Sequence, residues 1–178
     1  ASAVGVEILK KGGNAIDASV ATAFALAVTH PTAGNIGGGG FLVYMDSSSH
    51  TTTIDFREKA PLKATPNMFL NDQNLYGRKS SINHIGLKSV GVPGTVAGLY
   101  LAHKNYGKLS WATLVQPSID LAEDGFKLTW SLSRAATFFN NNSEIQFLKD
   151  YFKLDNGKVA KFGQIWKQPE LANTLKAI

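Results

Sequence analysis

The spacing of apolar and polar positions changes several times along the chain, and each change marks an element. Val4, Ile8 and Leu9 recur at helical spacing near the start. Gly12-Gly13 ends that helix, because glycine accepts the left-handed conformation of a C-terminal cap. Asn14 is placed to cap the next helix, with Asp17 at its third position, where a carboxylate meets the positive end of the helix dipole. Ala15 to Val28 is small or apolar almost all round, which predicts a helix buried on most sides and packed tightly against a sheet. His30-Pro31 closes it, since the residue before proline is driven out of the helical region.

The period then falls to two. Behind four consecutive glycines, Gly37 to Gly40, the apolar run Phe41 to Met45 is long enough for a strand and too short for a helix. Asp46 to His50 supplies turn residues, and the β-branched and aromatic run Thr51 to Phe56 predicts a returning strand. In that strand Thr52, Ile54 and Phe56 share one face, while Thr53, Asp55 and Arg57 share the other. Arg57 therefore leaves the hairpin on its polar face, at a strand end, just before the chain breaks at Pro61. Such a position presents a fixed guanidinium to an anion.

The remainder reads as mostly helical. Pro66 to Leu70 predicts one helical turn, Asn71 to Asn83 a polar loop, and Gly91-Val92-Pro93-Gly94-Thr95 a glycine-proline turn. An amphipathic helix follows over Val96 to Tyr106, ending at Gly107. Ser110 caps another, carrying Leu114, Val115, Ile119 and Leu121 and closing at Gly125. Ser131 to about Lys149 is predicted helical with an asparagine-rich break at Asn140 to Asn142. Asp155-Asn156-Gly157 predicts a tight turn, and Pro169 opens a last helix to Ile178. No internal repeat and no low-complexity linker interrupts the sequence.

Composition narrows the classes. A chain of 178 residues is one ordinary domain or a large part of a bigger one. It is 44% hydrophobic and only 17% charged, so it can bury a sizeable core, and its apolar segments call for partners outside it. The net charge of +5 comes from scattered lysines and not from a basic stripe with interleaved aromatics, which argues against nucleic acid as a partner. Without cysteine the chain holds no disulfide, no Cys-ligated zinc and no Cys nucleophile. No signal peptide opens it, and no run reaches the roughly 20 apolar residues of a membrane span. The nearest, Ala15 to Val28, is too short and carries Asp17, Ser19 and Thr22.

Candidate chemistry is sparse. The glycine cluster lacks the Lys-Ser/Thr of a P-loop and precedes a strand instead of following one, so a close backbone crossing between helix and sheet is favoured over a phosphate cradle. Arg57 has two readings: a bidentate fork for a carboxylate, or an internal pair with Asp55, Glu58 or another acid. Asp55 and Glu58 are the candidate carboxylates for orienting it. His30, His50, His84 and His103 stand singly, without metal-ligand spacing, and read as surface, turn or helix-end residues. No Gly-x-Ser-x-Gly elbow is present, and Ser2 becomes an N-terminal nucleophile only if the chain is trimmed. Asn141-Asn142-Ser143 matches a glycosylation acceptor, a pattern common by chance. Spacing and composition alone give no complete catalytic site.

The motifs taken together say more. Gly-Gly-Asn-Ala-Ile-Asp-Ala at 12–18, Thr29-His30-Pro31, Gly34-Asn35-Ile36-Gly37-Gly38-Gly39-Gly40-Phe41 and Asp55-Phe56-Arg57-Glu58-Lys59-Ala60-Pro61 resemble the gamma-glutamyltranspeptidases. Gly91 to Gly98, Tyr106-Gly107 and Gln116-Pro117 through Gly125 resemble the same family in the same order, with the weakest likeness between Phe126 and Ile165. The resemblance implies an α/β (α+β) fold, the N-terminal-nucleophile hydrolase αββα four-layer sandwich. Residues 1–178 would be a single, incomplete domain from the N-terminal portion of the large subunit. The start would lie just after the mature start, and the end well before the processing site. It implies a precursor that cleaves itself, with the nucleophilic threonine, and the rest of the catalytic apparatus, on a small subunit outside this chain. Arg57, in Phe-Arg-Glu-x-Ala-Pro, matches the family's arginine for the α-carboxylate of the γ-glutamyl group, and Glu58 would hold it from the second rank. The glycine run then reads as close packing beneath the site.

The activity implied is γ-glutamyl transfer and hydrolysis on glutathione and related compounds, with amino acids as acceptors and no metal or organic cofactor. Bacterial relatives point to the periplasm or secretion. Two alternatives accompany this reading. One is a sister acylase or polyglutamate depolymerase of the same superfamily; the other is a non-catalytic homologue that binds γ-glutamyl compounds.

Overall fold

The capping box read at Asn14 and Asp17 is present. The Asn14 side chain accepts from the Asp17 amide at 3.0 Å, and the Asp17 carboxylate accepts from the Asn14 amide at 2.9 Å. It starts the second helix of the structure, a computed structural model that describes residues 1–70, 86–143 and 146–178. Two compact units result: Ala1–Asn35 with Tyr100–Ile178, and Ile36–Leu99.

In the first unit, α1 (Ser2–Lys10) and α2 (Ala15–Thr29) run into each other through Gly12, whose φ of 88° takes the chain out of α1. Within α1 the inward positions are Gly5 and Ile8; Leu9, expected on the same stripe, is half exposed. Helix α2 ends at His30 as the proline predicts. It buries Ile16, Val20, Phe24 and Val28, each fully enclosed side chain contributing about 1.5–3 kcal/mol relative to exposure. Its neighbours in this unit are α1 and α4 (Trp111–Glu123) instead of the expected sheet. The alanines that were read as a sheet-facing surface serve helix–helix approach equally well. Ser110 caps α4 by accepting from the Thr113 amide, and α4 in turn packs on α7 (Pro169–Ala177), which opens at Pro169 as predicted. Helix α3 (Thr95–Tyr106) enters this unit at Tyr100.

A second apolar cluster in the same unit gathers Leu128, Leu132, Ala136, Phe152, Ala160 and Trp166. It is framed by α5 (Trp130–Asn142), α6 (Gln146–Tyr151) and the antiparallel pair β3 (Phe126–Lys127) and β4 (Ile165–Trp166). Two-residue strands show no alternation and escape a reading by period. Helix α5 runs through the asparagines and ends with Ser143 as its cap, so the break falls later than Asn140 to Asn142. The turn at Asp155-Asn156-Gly157 forms, with φ of 74° at Gly157.

The second unit is built on the hairpin β1 (Phe41–Met45) and β2 (Thr51–Asp55), antiparallel with Phe41 opposite Asp55 and Met45 opposite Thr51. The Asp46 carboxylate closes the turn by accepting from the amides of Ser48 and His50. Leu42, Tyr44, Thr52 and Ile54 are half buried while their alternating neighbours are exposed, which is the face assignment read from the sequence. Pro66 to Leu70, expected to be a helical turn, forms successive i→i+3 turns (Met68 to Thr65, Leu70 to Asn67) without a helix. The stretch Asn71 to Asn83, with His84, lies outside the described residues. Helices and antiparallel strands together give the mixed α/β class expected. No helix among the described residues is long and apolar enough to cross a membrane.

Candidate functional site

Arg57 stands two residues beyond the last ladder residue of β2, because the chain leaves the strand on its polar face. Its side chain is exposed, and among the described residues the guanidinium makes no ion pair and no hydrogen bond. The internal pairing that the sequence left open is therefore not made with Asp55 or Glu58. Asp55 acts on the main chain instead: its Oδ1 accepts from the Arg57 amide at 3.0 Å.

The backbone around Arg57 is fixed from several directions. Phe56 N donates to Gly40 O at 3.0 Å, extending the hairpin pairing into the glycine run. Three residues after Phe56, Lys59 and Val92 exchange amide bonds of 3.2 and 2.8 Å, so the turn at 91–95 is laced to the segment that follows Arg57. That turn also returns to the glycine run: the amides of Gly94 and Thr95 donate to Gly38 O at 2.8 and 3.1 Å.

Glycine is required at two of these places by space. A Cβ at Gly39 would stand 2.5 Å from Phe56 O, 2.7 Å from Glu58 N and 2.8 Å from Arg57 Cα, all of it backbone that cannot swing aside. A Cβ at Gly94 would overlap the Phe56 carbonyl. A close backbone crossing is thus present at the glycine cluster, but it lies against the Phe56-Arg57-Glu58 segment that leaves β2 and not between helix and sheet as expected. Glu58 is exposed, and its Cβ lies close to Gly91.

The site as described is a single cation on a rigid segment. A guanidinium free of partners offers two parallel N–H donors to a carboxylate, the geometry in which arginine binds best. Sequence reading found Arg57 and Glu58 but not Asp55's hold on the amide, nor Gly38, Gly39 and Gly94 as its seat. The available signal was two glycine-rich stretches in one chain, each without a ligand-binding pattern of its own. Two concavities, about 340 Å³ against α5 and about 540 Å³ beside Trp166, are lined by other residues. No group of three or more metal-ligating side chains occurs among the described residues.

The remaining candidates stay apart. His30 caps α2, His50 lies 3.4 Å from Asp46 in the hairpin turn, and His103 sits in the last turn of α3 with its ring 5.3 Å from that of Trp111. The Nε2 of His103 donates to Leu109 O at 2.7 Å.

Comparison with known proteins shows the family. The sequence model of a single family, described as Gamma-glutamyltranspeptidase, matches residues 1–178. The glutathione hydrolase proenzyme of Pseudomonas aeruginosa is 44% identical over 98% of this chain and 30% of its own length. That of Escherichia coli is 45% identical over the whole of this chain and 30% of its own. The crystal structure of Helicobacter pylori gamma-glutamyltranspeptidase superposes with a TM-score of 0.88 and 41% identity, over 98% of this chain and 50% of that one. The chain spans about a third of the length of the curated relatives it matches.

Proposed function

The chain belongs to the gamma-glutamyltranspeptidase family, and from that premise we propose that the complete protein transfers and hydrolyses γ-glutamyl groups, with glutathione as the natural donor. Residues 1–178 are the N-terminal portion of its large subunit, one incomplete domain that depends on the remainder. The observation that carries the proposal is Arg57: an exposed guanidinium on a fixed backbone, with no partner of its own among the described residues. In the proposed site its fork binds the donor's α-carboxylate, and Glu58 supports it from the next position along the chain.

The chemistry itself lies outside this chain. A threonine at the new N-terminus of the small subunit, made by self-cleavage of a precursor, attacks the γ-carbonyl carbon, and its own α-amino group takes the hydroxyl proton. The amide C–N bond breaks, the proton passes to the leaving amine, and cysteinylglycine departs. Water or the amine of an acceptor amino acid then attacks the γ-glutamyl ester and restores the threonine. Arg57 contributes binding: it anchors the donor's α-carboxylate alike before and during the reaction, so its loss appears in KM. No metal or organic cofactor is invoked, and the complete protein is proposed to be periplasmic or secreted.

The test compares wild type and Arg57→Met in the complete, self-cleaved protein with a γ-glutamyl anilide as donor. Loss of a desolvated charge partner costs roughly 2–5 kcal/mol, a fall of about tens to thousands of fold in kcat/KM. Unchanged kinetics in a matured variant would remove Arg57 from the donor site.

A further inference from the structure

Resting on that reading of Arg57, we propose that Gly39 and Asp55 are positioning residues for the donor's α-carboxylate, acting through the Arg57 main chain. An arginine held by acidic neighbours is aimed through its side chain. Arg57 has no such neighbour among the described residues, so the place of its fork depends on where the backbone sets its Cα. That place is defined on two sides. Gly39 lies under it, with room for hydrogen only: an added Cβ would stand 2.8 Å from Arg57 Cα and 2.5 Å from Phe56 O. Asp55 holds it along the chain, accepting from its amide at 3.0 Å.

Neither contact is needed for the hairpin ladder, which ends at Asp55. Both bear on the residue whose guanidinium must meet a carboxylate in bidentate register. A methyl at position 39 pushes backbone against backbone, and the segment 56–58 must shift. Gly37, in the same run, has nothing within 4 Å of its added Cβ and supplies the internal control.

The experiment uses the complete, self-cleaved protein and two anilide donors: γ-glutamyl, and 4-aminobutyryl, which lacks only the α-carboxylate. Gly39→Ala is expected to lower kcat/KM on the γ-glutamyl donor by about tenfold to a hundredfold, the scale of a 1 Å misplacement, through KM with kcat nearly unchanged. Asp55→Ala is expected to act in the same direction by a smaller factor. Neither variant should change the rate on the 4-aminobutyryl donor by as much as twofold, and Gly37→Ala should match wild type on both. Equal losses on the two donors, a fall in kcat as large as the rise in KM, or no loss at all would overturn the proposal. Should Gly39→Ala fail to mature, Asp55→Ala, at an exposed site, decides by the same criteria. Arg57→Met run alongside separates the failures. If it too treats both donors alike, the reading of Arg57 falls; if it alone discriminates between them, only the positioning roles fall.

Discussion

The amide of Gly94 donates to the carbonyl of Gly38 at 2.8 Å, and this bond ties together two glycine-rich stretches that stand far apart in sequence. Between them runs the Phe56 backbone, whose carbonyl faces both Gly39 and Gly94. Crowding this seat costs stability as well as alignment. Gly94→Ala is expected to destabilise by about 1–3 kcal/mol, the usual penalty for forcing a methyl into a filled site. Gly37→Ala, in open space, should stay within about 0.5 kcal/mol of wild type. Urea midpoints of the matured complete protein measure both, and equal midpoints would show that the seat yields freely.

Arg57→Lys separates charge from geometry. Lysine keeps the positive charge but replaces a planar fork by a single ammonium, so one of two parallel bonds to a carboxylate is lost. The expected kcat/KM on a γ-glutamyl anilide lies between wild type and Arg57→Met, about tenfold below wild type for roughly 1.4 kcal/mol. Full activity would mean that the fork geometry is unused.

Asp17 predicts a different outcome, confined to stability. Its carboxylate is fully buried, and it accepts from the amides of Asn14, Lys108 and Leu109 at 2.9 to 3.3 Å. Asp17→Ala strands those donors and should cost on the order of 3 kcal/mol, with Asp17→Asn less severe because one acceptor oxygen remains. A urea midpoint for Asp17→Ala close to wild type would show that water replaces the carboxylate.

Asp17 also shows how far sequence alone reaches. Its bond to Asn14 spans three residues and follows from helix-cap chemistry, so it was legible. Its bonds to Lys108 and Leu109 span more than ninety residues and follow from the packing of α2 beside the α3–α4 turn, which no local pattern encodes. The hairpin was legible because alternation from Thr51 to Phe56 fixes both faces, and with them the exit of Arg57. The two-residue pair β3–β4 was not, being too short to show a period. Around Arg57 the residue itself came from a motif. Its support by Gly39, Gly94 and Asp55 is main-chain contact, and side-chain pattern carries little trace of that.

Tyr151 gives a prediction with a pH axis. Its hydroxyl donates to Gln168 Oε1 at 2.8 Å, and Gln168 Nε2 donates to Val28 O at 2.9 Å, so the chain Tyr151–Gln168–Val28 ties α6 to the end of α2. Burial pushes the phenol above its ordinary value near 10, since the phenolate would lose solvent. The folded state therefore holds this proton more tightly than the unfolded chain does. Its contribution to stability is complete below pH 10 and is lost as pH rises through the folded value. Deprotonation also removes the donor that Gln168 Oε1 requires. Tyr151→Phe should have a lower urea midpoint than wild type at pH 8, because that oxygen loses its partner. Above pH 10 the gap between the two proteins should close, as wild type loses what the variant never had. The difference between the curves isolates this tyrosine, since every other residue is common to both proteins. A constant gap from pH 8 to 11 would show that the phenol carries no pH-linked stability.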